Sequence, residues 1–152
     1  MHIAPTEDFA IAFTRAESGF GDSIESWYDS SPGMEIIDLN DDESYPFRLE
    51  QPGVGVAFAA TDLALHALVL QQDIDYLYQL DLYTGQASEL ELEAAPIAIG
   101  SMPAGGFFIT HDVGLGLVSF YHPDTGEIST VGGFAGFGLL DPTKLVEEES
   151  AQ

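Results

Sequence analysis

Between Leu77 and Thr110 the chain reads LYQLDLYTGQASELELEAAPIAIGSMPAGGFFIT. Apolar and polar residues alternate up to Thr84-Gly85, and the alternation resumes after that break. A stretch of small residues, a second turn and an aromatic run follow. A period of two puts successive side chains on opposite faces of a strand, so the segment predicts short strands joined by tight turns. No apolar pattern of helical period continues for more than a few residues anywhere in the chain. The 16 Gly and 8 Pro are spread at regular intervals, which suits many short strands and turns.

The order recurs. LYQLDLYTGQASELELEAAP (77–96) and LVSFYHPDTGEISTVGGF (117–134) both read as strand, Thr-Gly turn, strand. A third copy, MEIIDLNDDESYPFRLEQP (34–52), turns on Asn40-Asp41-Asp42, whose residue types tolerate left-handed backbone angles. The pieces between also match: GVGVAFAATDLALHALVL (53–70) parallels IAIGSMPAGGFFITHDV (97–113), and IAPTEDFAIAFT (3–14) is a shortened version. The expected unit is four strands over about 40 residues, the period of a propeller blade. Units are placed at about 1–52, 53–96 and 97–136, with residues 132–142 opening another blade and 143–152 an acidic tail. Small residues in each first strand (Gly53, Gly55, Ala57, Ala98, Gly100) suit a crowded central axis, and SELELE suits an outer edge guarded by charge.

These residues resemble the YVTN-type β-propeller repeat, related in architecture to the WD type. The resemblance rests on Asp81, Thr84, Gly85, Pro96, Ile97, Pro103, Gly105, Phe107 and Phe108, and on Asp124, Thr125 and Gly126 in the next unit. It spans most of residues 34–140, although MPAGG lacks the turn Asp and the first unit lacks Thr-Gly. It implies an all-β, β-propeller-like fold of about three four-stranded antiparallel blades. It also implies a non-enzymatic scaffold presenting loops to a macromolecular partner; the repeat carries no catalytic set. Some propellers of this appearance are lactonase- or hydrolase-type enzymes with an acidic metal site around the axis, which is the alternative.

Familiar propellers close with roughly four to eight blades, so three units leave the ring open. The chain is then a segment of a larger propeller, a self-associating half in which two copies make a six-bladed ring, or an open β assembly.

Charge narrows the partners. Asp and Glu number 26 against three basic residues, Arg15, Arg48 and Lys144, for a formal net charge of −23. Such a surface repels nucleic acid and anionic membranes and attracts cations or a basic protein. It equally suits solubility, or a halophilic or cell-surface structural unit. The absence of cysteine excludes disulfides and thiolate zinc sites. The acidic start MHIAPTEDFAIAFTRAE is no signal peptide, and no apolar run approaches the roughly 20 residues of a spanning helix. The compartment stays open, extracytoplasmic if the chain belongs to a larger exported protein.

Two candidate sites emerge. Residues 15–33 form an insertion in the first unit, where Phe20, Trp27 and Tyr28, rimmed by acids, are candidate partner-binding residues. Asp38, Asp41, Asp42 and Glu43 gather hard oxygens that could hold Ca2+, without the spacing of an EF-hand loop, and a solvated turn is the plainer reading. No other cofactor is expected. His66 reads as a satisfied core imidazole, and His111 as a residue following a strand. SMPAGG and VGGFAGFG lack the Lys and following helix of a phosphate loop.

Overall fold

The computed structural model describes residues 1–14, 32–111 and 116–133. Within them the chain is all-β and forms three four-stranded antiparallel sheets, with no helix among the described residues. The first sheet is β1 (His2–Ile3), β2 (Phe9–Thr14), β3 (Gly33–Asp38) and β4 (Glu43–Arg48). The second is β5 (Gly53–Ala60), β6 (Leu65–Gln71), β7 (Tyr76–Asp81) and β8 (Gln86–Glu91). The third is β9 (Pro96–Ser101), β10 (Phe107–His111), β11 (Val118–His122) and β12 (Glu127–Val131). Each sheet is a meander in which sequence neighbours pair, as expected for successive propeller-like blades.

The sheets stack through their faces. Phe9, Ile11 and Met34 of the first meet Phe58, Ala67, Val69 and Leu80 of the second in one core. Alternation sends Ala57, Leu68, Leu70 and Leu77 to the other side, against Phe107, Ile109 and Tyr121 of the third. The second sheet is therefore covered on both faces, and all seven residues of its strand β6 are buried. This explains why LHALVLQ is almost continuously apolar while the outer strands alternate.

Strand position follows composition. β5 lies against β9, so the small first strands approach each other between sheets. An ideal Cβ on Gly53 would stand 2.2 Å from Phe13 Cε1, so that ring fills the space a side chain would need. The fourth strands are outer edges, where Pro46 opposite Glu35 forfeits no needed ladder donor and Glu89 and Glu91 blunt pairing. Gln71 joins the first two sheets: its buried Oε1 accepts the N–H groups of Glu50 (2.8 Å) and Gln51 (3.0 Å).

His111 corrects the expectation of a residue beyond the strand. It ends β10, 3% exposed, with Nδ1 2.8 Å from the Ala94 carbonyl and Nε2 2.7 Å from Ser119 Oγ, which in turn meets Thr130 Oγ1 at 2.9 Å. It is a buried tie across β10, β11 and β12.

Candidate functional site: two grooves between the sheets

The same turn closes each third strand. Asp81 Oδ1 accepts the N–H groups of Tyr83 (3.0 Å) and Thr84 (3.1 Å), while Gly85 N–H donates to the Asp81 carbonyl at 2.8 Å with φ +73°. In the first sheet Asp38 Oδ1 accepts from Asn40 (2.9 Å) and Asp41 (3.3 Å), and Asp42, at φ 53°, takes the glycine's place. In the third sheet His122 holds the position of Asp81; its carbonyl accepts from Gly126, at φ +70°. Asp124 is thus the counterpart of Tyr83 and not of the turn Asp.

That counterpart position reaches back to the preceding sheet. Tyr83 Oη stands 3.4 Å from Asp8 Oδ2, with its ring 6.0 Å from that of Phe9. Asp124 Oδ1 stands 3.5 Å from His66 Nε2.

Beside these turns the sheets splay and leave two grooves built from equivalent positions. Register fixes the equivalence: Asp38 pairs with Phe9 and Glu43, and Asp81 with His66 and Gln86. The first groove, about 500 Å3 between the first and second sheets, is lined by Phe9, Ile36, Tyr45, Phe47, Leu80 and Leu82, with Asp38, Asp81 and Tyr83 at its rim. Phe47 meets Tyr78 edge to face at 5.2 Å, which holds the floor. The second, about 480 Å3, is lined by the polar counterparts His66, Gln79, Asp81, Gln86 and Ser88 together with Ala87. The two share Asp81, Gln86 and Ala87, beside the β7–β8 turn.

Electrostatics follow the charge imbalance. Tyr45 is half exposed and donates to Glu43 Oε2 (2.6 Å); that hydrogen bond, then the same carboxylate's charge, raises the phenol's pKa. Burial, followed by Asp8, raises that of Tyr83. Among the described residues Arg48 is the only Lys or Arg.

The four acids of the candidate Ca2+ cluster are placed by this turn: Asp38 is half-buried and engaged with backbone N–H groups, while Asp41, Asp42 and Glu43 are exposed. No three His, Asp or Glu side chains among the described residues gather in a metal-holding group. Phe20, Trp27 and Tyr28 lie outside the described residues, as do residues 134–152, which cover the acidic tail and most of the expected further strand. His66 is in the core as its sequence reading has it, but it is not satisfied by a hydrogen bond: neither ring nitrogen has such a partner among the described residues. Sequence reasoning missed both grooves: the first draws on two units, and the second joins three strands of one unit; only aligning Phe9 with His66 through the turn acids would have shown them.

No protein-family model matches the chain, and no curated protein does. Among solved structures the chain is similar to a crystal structure of BBS1N in complex with ARL6DN, soaked with lead, at 15% identity and a TM-score of 0.48. That match covers 81% of this chain and 38% of that one. A mercury-soaked crystal of the same complex matches at 18% identity and TM-score 0.48, covering 66% of this chain and 32% of that one. The chain thus spans about a third of the length of these neighbours.

Proposed function

We propose that the chain is a non-enzymatic interaction module that holds an apolar segment of a protein partner, flanked by basic residues, in the groove between its first and second sheets. The observation that carries this reading is the lining: an apolar and aromatic floor of Phe9, Ile36, Phe47 and Leu82 under a rim of Asp38, Asp81 and Tyr83. Aromatic pockets supply anchoring energy, and the acidic rim steers and selects a basic flank. Peptides carrying one leucine or phenylalanine between lysines, and the same peptides with glutamates, are the probes. Lysine-flanked peptides bind the chain, salt weakens them, and Tyr45→Ala lowers their affinity by about tenfold, near 1.4 kcal/mol. Equal binding of both peptide sets, or indifference to Tyr45→Ala, would refute the reading.

A second reading rests on a different face. In the third sheet Phe108 and Phe120 pair on the side away from the second sheet, with Thr110 paired to Val118 and Val118 to Val131. Phe108 is 37% and Val131 46% exposed. These positions are the counterparts of Ile11 and Leu68, through which each earlier sheet receives the next. A second copy of the chain, docking its first sheet there, continues the same stacking. Light scattering gives a dimer in this case, and Phe108→Asp returns it to monomer; a wild-type monomer over the micromolar range rejects self-association.

A further inference from the structure

We propose that the second groove, lined by the second sheet near its contact with Asp124 of the third, is a binding site for a guanidinium group, the side chain of an arginine. His66 lines it at 8% exposure, with both ring nitrogens lacking a hydrogen-bond partner among the described residues. The equivalent position one sheet earlier is Phe9, so packing here is met by an apolar ring and does not require an imidazole. A buried polar ring that makes no hydrogen bond, with only the Asp124 carboxylate near it at 3.5 Å, is unfavourable unless a ligand completes it.

The chemistry of the walls selects the ligand. Asp81 spends Oδ1 on the turn, and its other carboxylate oxygen has no hydrogen-bond partner among the described residues. Asp124 approaches from the third sheet, 3.5 Å from His66 Nε2. Gln79 is fixed by the Tyr121 hydroxyl, which donates to its Oε1 at 2.5 Å. Gln86 and Ser88 add side-chain oxygens. Two carboxylates in a chain of net charge −23 reject an anion. A divalent ion lacks its three-ligand group among the described residues. A guanidinium has five donors, no acceptor and a flat fork, which suits the carboxylates of Asp81 and Asp124 on either side of the His66 ring. This deepens the interaction reading by naming one of the partner's basic residues, and it is testable without any partner.

The probe is L-argininamide, titrated at fixed pH and ionic strength while the His66 ring resonances are followed by NMR. L-citrullinamide, of the same shape without the charge, and L-lysinamide are the comparisons. Argininamide shifts His66 saturably and binds about tenfold tighter than either comparison. Asp124→Asn, in an exposed turn, weakens it by a similar factor, and Tyr45→Ala in the other groove leaves it unchanged. An absent or non-saturating His66 shift, equal binding of citrullinamide or lysinamide, or full affinity in Asp124→Asn would overturn the site. The Tyr45→Ala peptide experiment reads the apolar groove alone, so failure of one is distinguishable from failure of the other.

Discussion

Asp38 and Asp81 hold the same point in successive sheets, each with one carboxylate oxygen accepting two N–H groups of the turn that follows. A local acceptor of this kind replaces hydrogen bonds the backbone would otherwise seek from water. Asp81→Ala is expected to destabilise the protein by about 1 kcal/mol, and Asp38→Ala by a similar amount. Urea unfolding checks both, and a loss near zero for either would show the turn does not depend on its carboxylate.

The turns also differ in a testable way. Nothing lies within 4 Å of a Cβ built on Gly85, so its only constraint is φ +73°. Gly85→Ala should therefore cost roughly 1–2 kcal/mol from backbone strain alone. Asp42 already bears that strain at φ 53°. Asp42→Gly should shift stability the opposite way, by less than about 1 kcal/mol, because relief of strain is partly offset by a freer unfolded chain. Midpoints of denaturant unfolding give both signs.

Much of the fold was legible because it repeats. Period-two alternation placed strands in all three sheets, with Thr-Gly marking the turn in two of them and Asn40-Asp41-Asp42 in the first. Two things were not legible. Residue type at a turn does not reveal its alignment, so Asp124 passed for the turn acid when His122 holds that place. Contacts between units are invisible to a pattern read within one unit: the pairing of His66 with Asp124, and the meeting of Phe9 with Tyr83, depend on how sheets stack.

Stacking of the first two sheets can be probed where Gly53 meets the Phe13 ring. With ring atoms 2.2 Å from an ideal Cβ, Gly53→Ala must push the ring aside, at about 1–3 kcal/mol. Phe13→Leu alone loses packing. Combined, the two changes should cost less than their sum, since the smaller side chain vacates the methyl's space. A double-mutant cycle by thermal unfolding measures the coupling; additive costs would mean the ring is not held there.

Alkaline pH tests two tyrosines, the half-buried Tyr76 and the buried Tyr121. Burial is the largest cause raising the pKa of both Tyr76 and Tyr121 above the ordinary value near 10. In the unfolded chain these phenols ionise near that ordinary value, while in the folded chain they keep their protons. The unfolded state then binds fewer protons, so stability falls as pH rises. Stability should be flat in this respect below about pH 9 and decline above about pH 10. Tyr121→Phe, which loses the bond to Gln79, should lower stability at neutral pH yet flatten the alkaline decline. Unfolding curves from pH 8 to 11 check both statements.

Salt tests the cost of the acidic surface. With 26 acids against three basic residues, like charges repel across the folded chain more than in the expanded one. Screening becomes effective once the Debye length, about 10 Å at 0.1 M, falls below the spacing between surface charges. The melting temperature should therefore rise with NaCl up to about 0.5 M, by several degrees if roughly 1–2 kcal/mol of repulsion is relieved. Glu89 and Glu91, exposed on the edge strand β8, allow a second route to the same end. Reversing both to lysine replaces repulsion by attraction and still guards the edge against pairing. The doubly reversed protein should melt higher than the parent at low salt and gain less from added NaCl. A continued rise into molar salt, undiminished by the reversals, would instead mark an acidic surface adapted to concentrated brine, whose stabilisation does not come from screening.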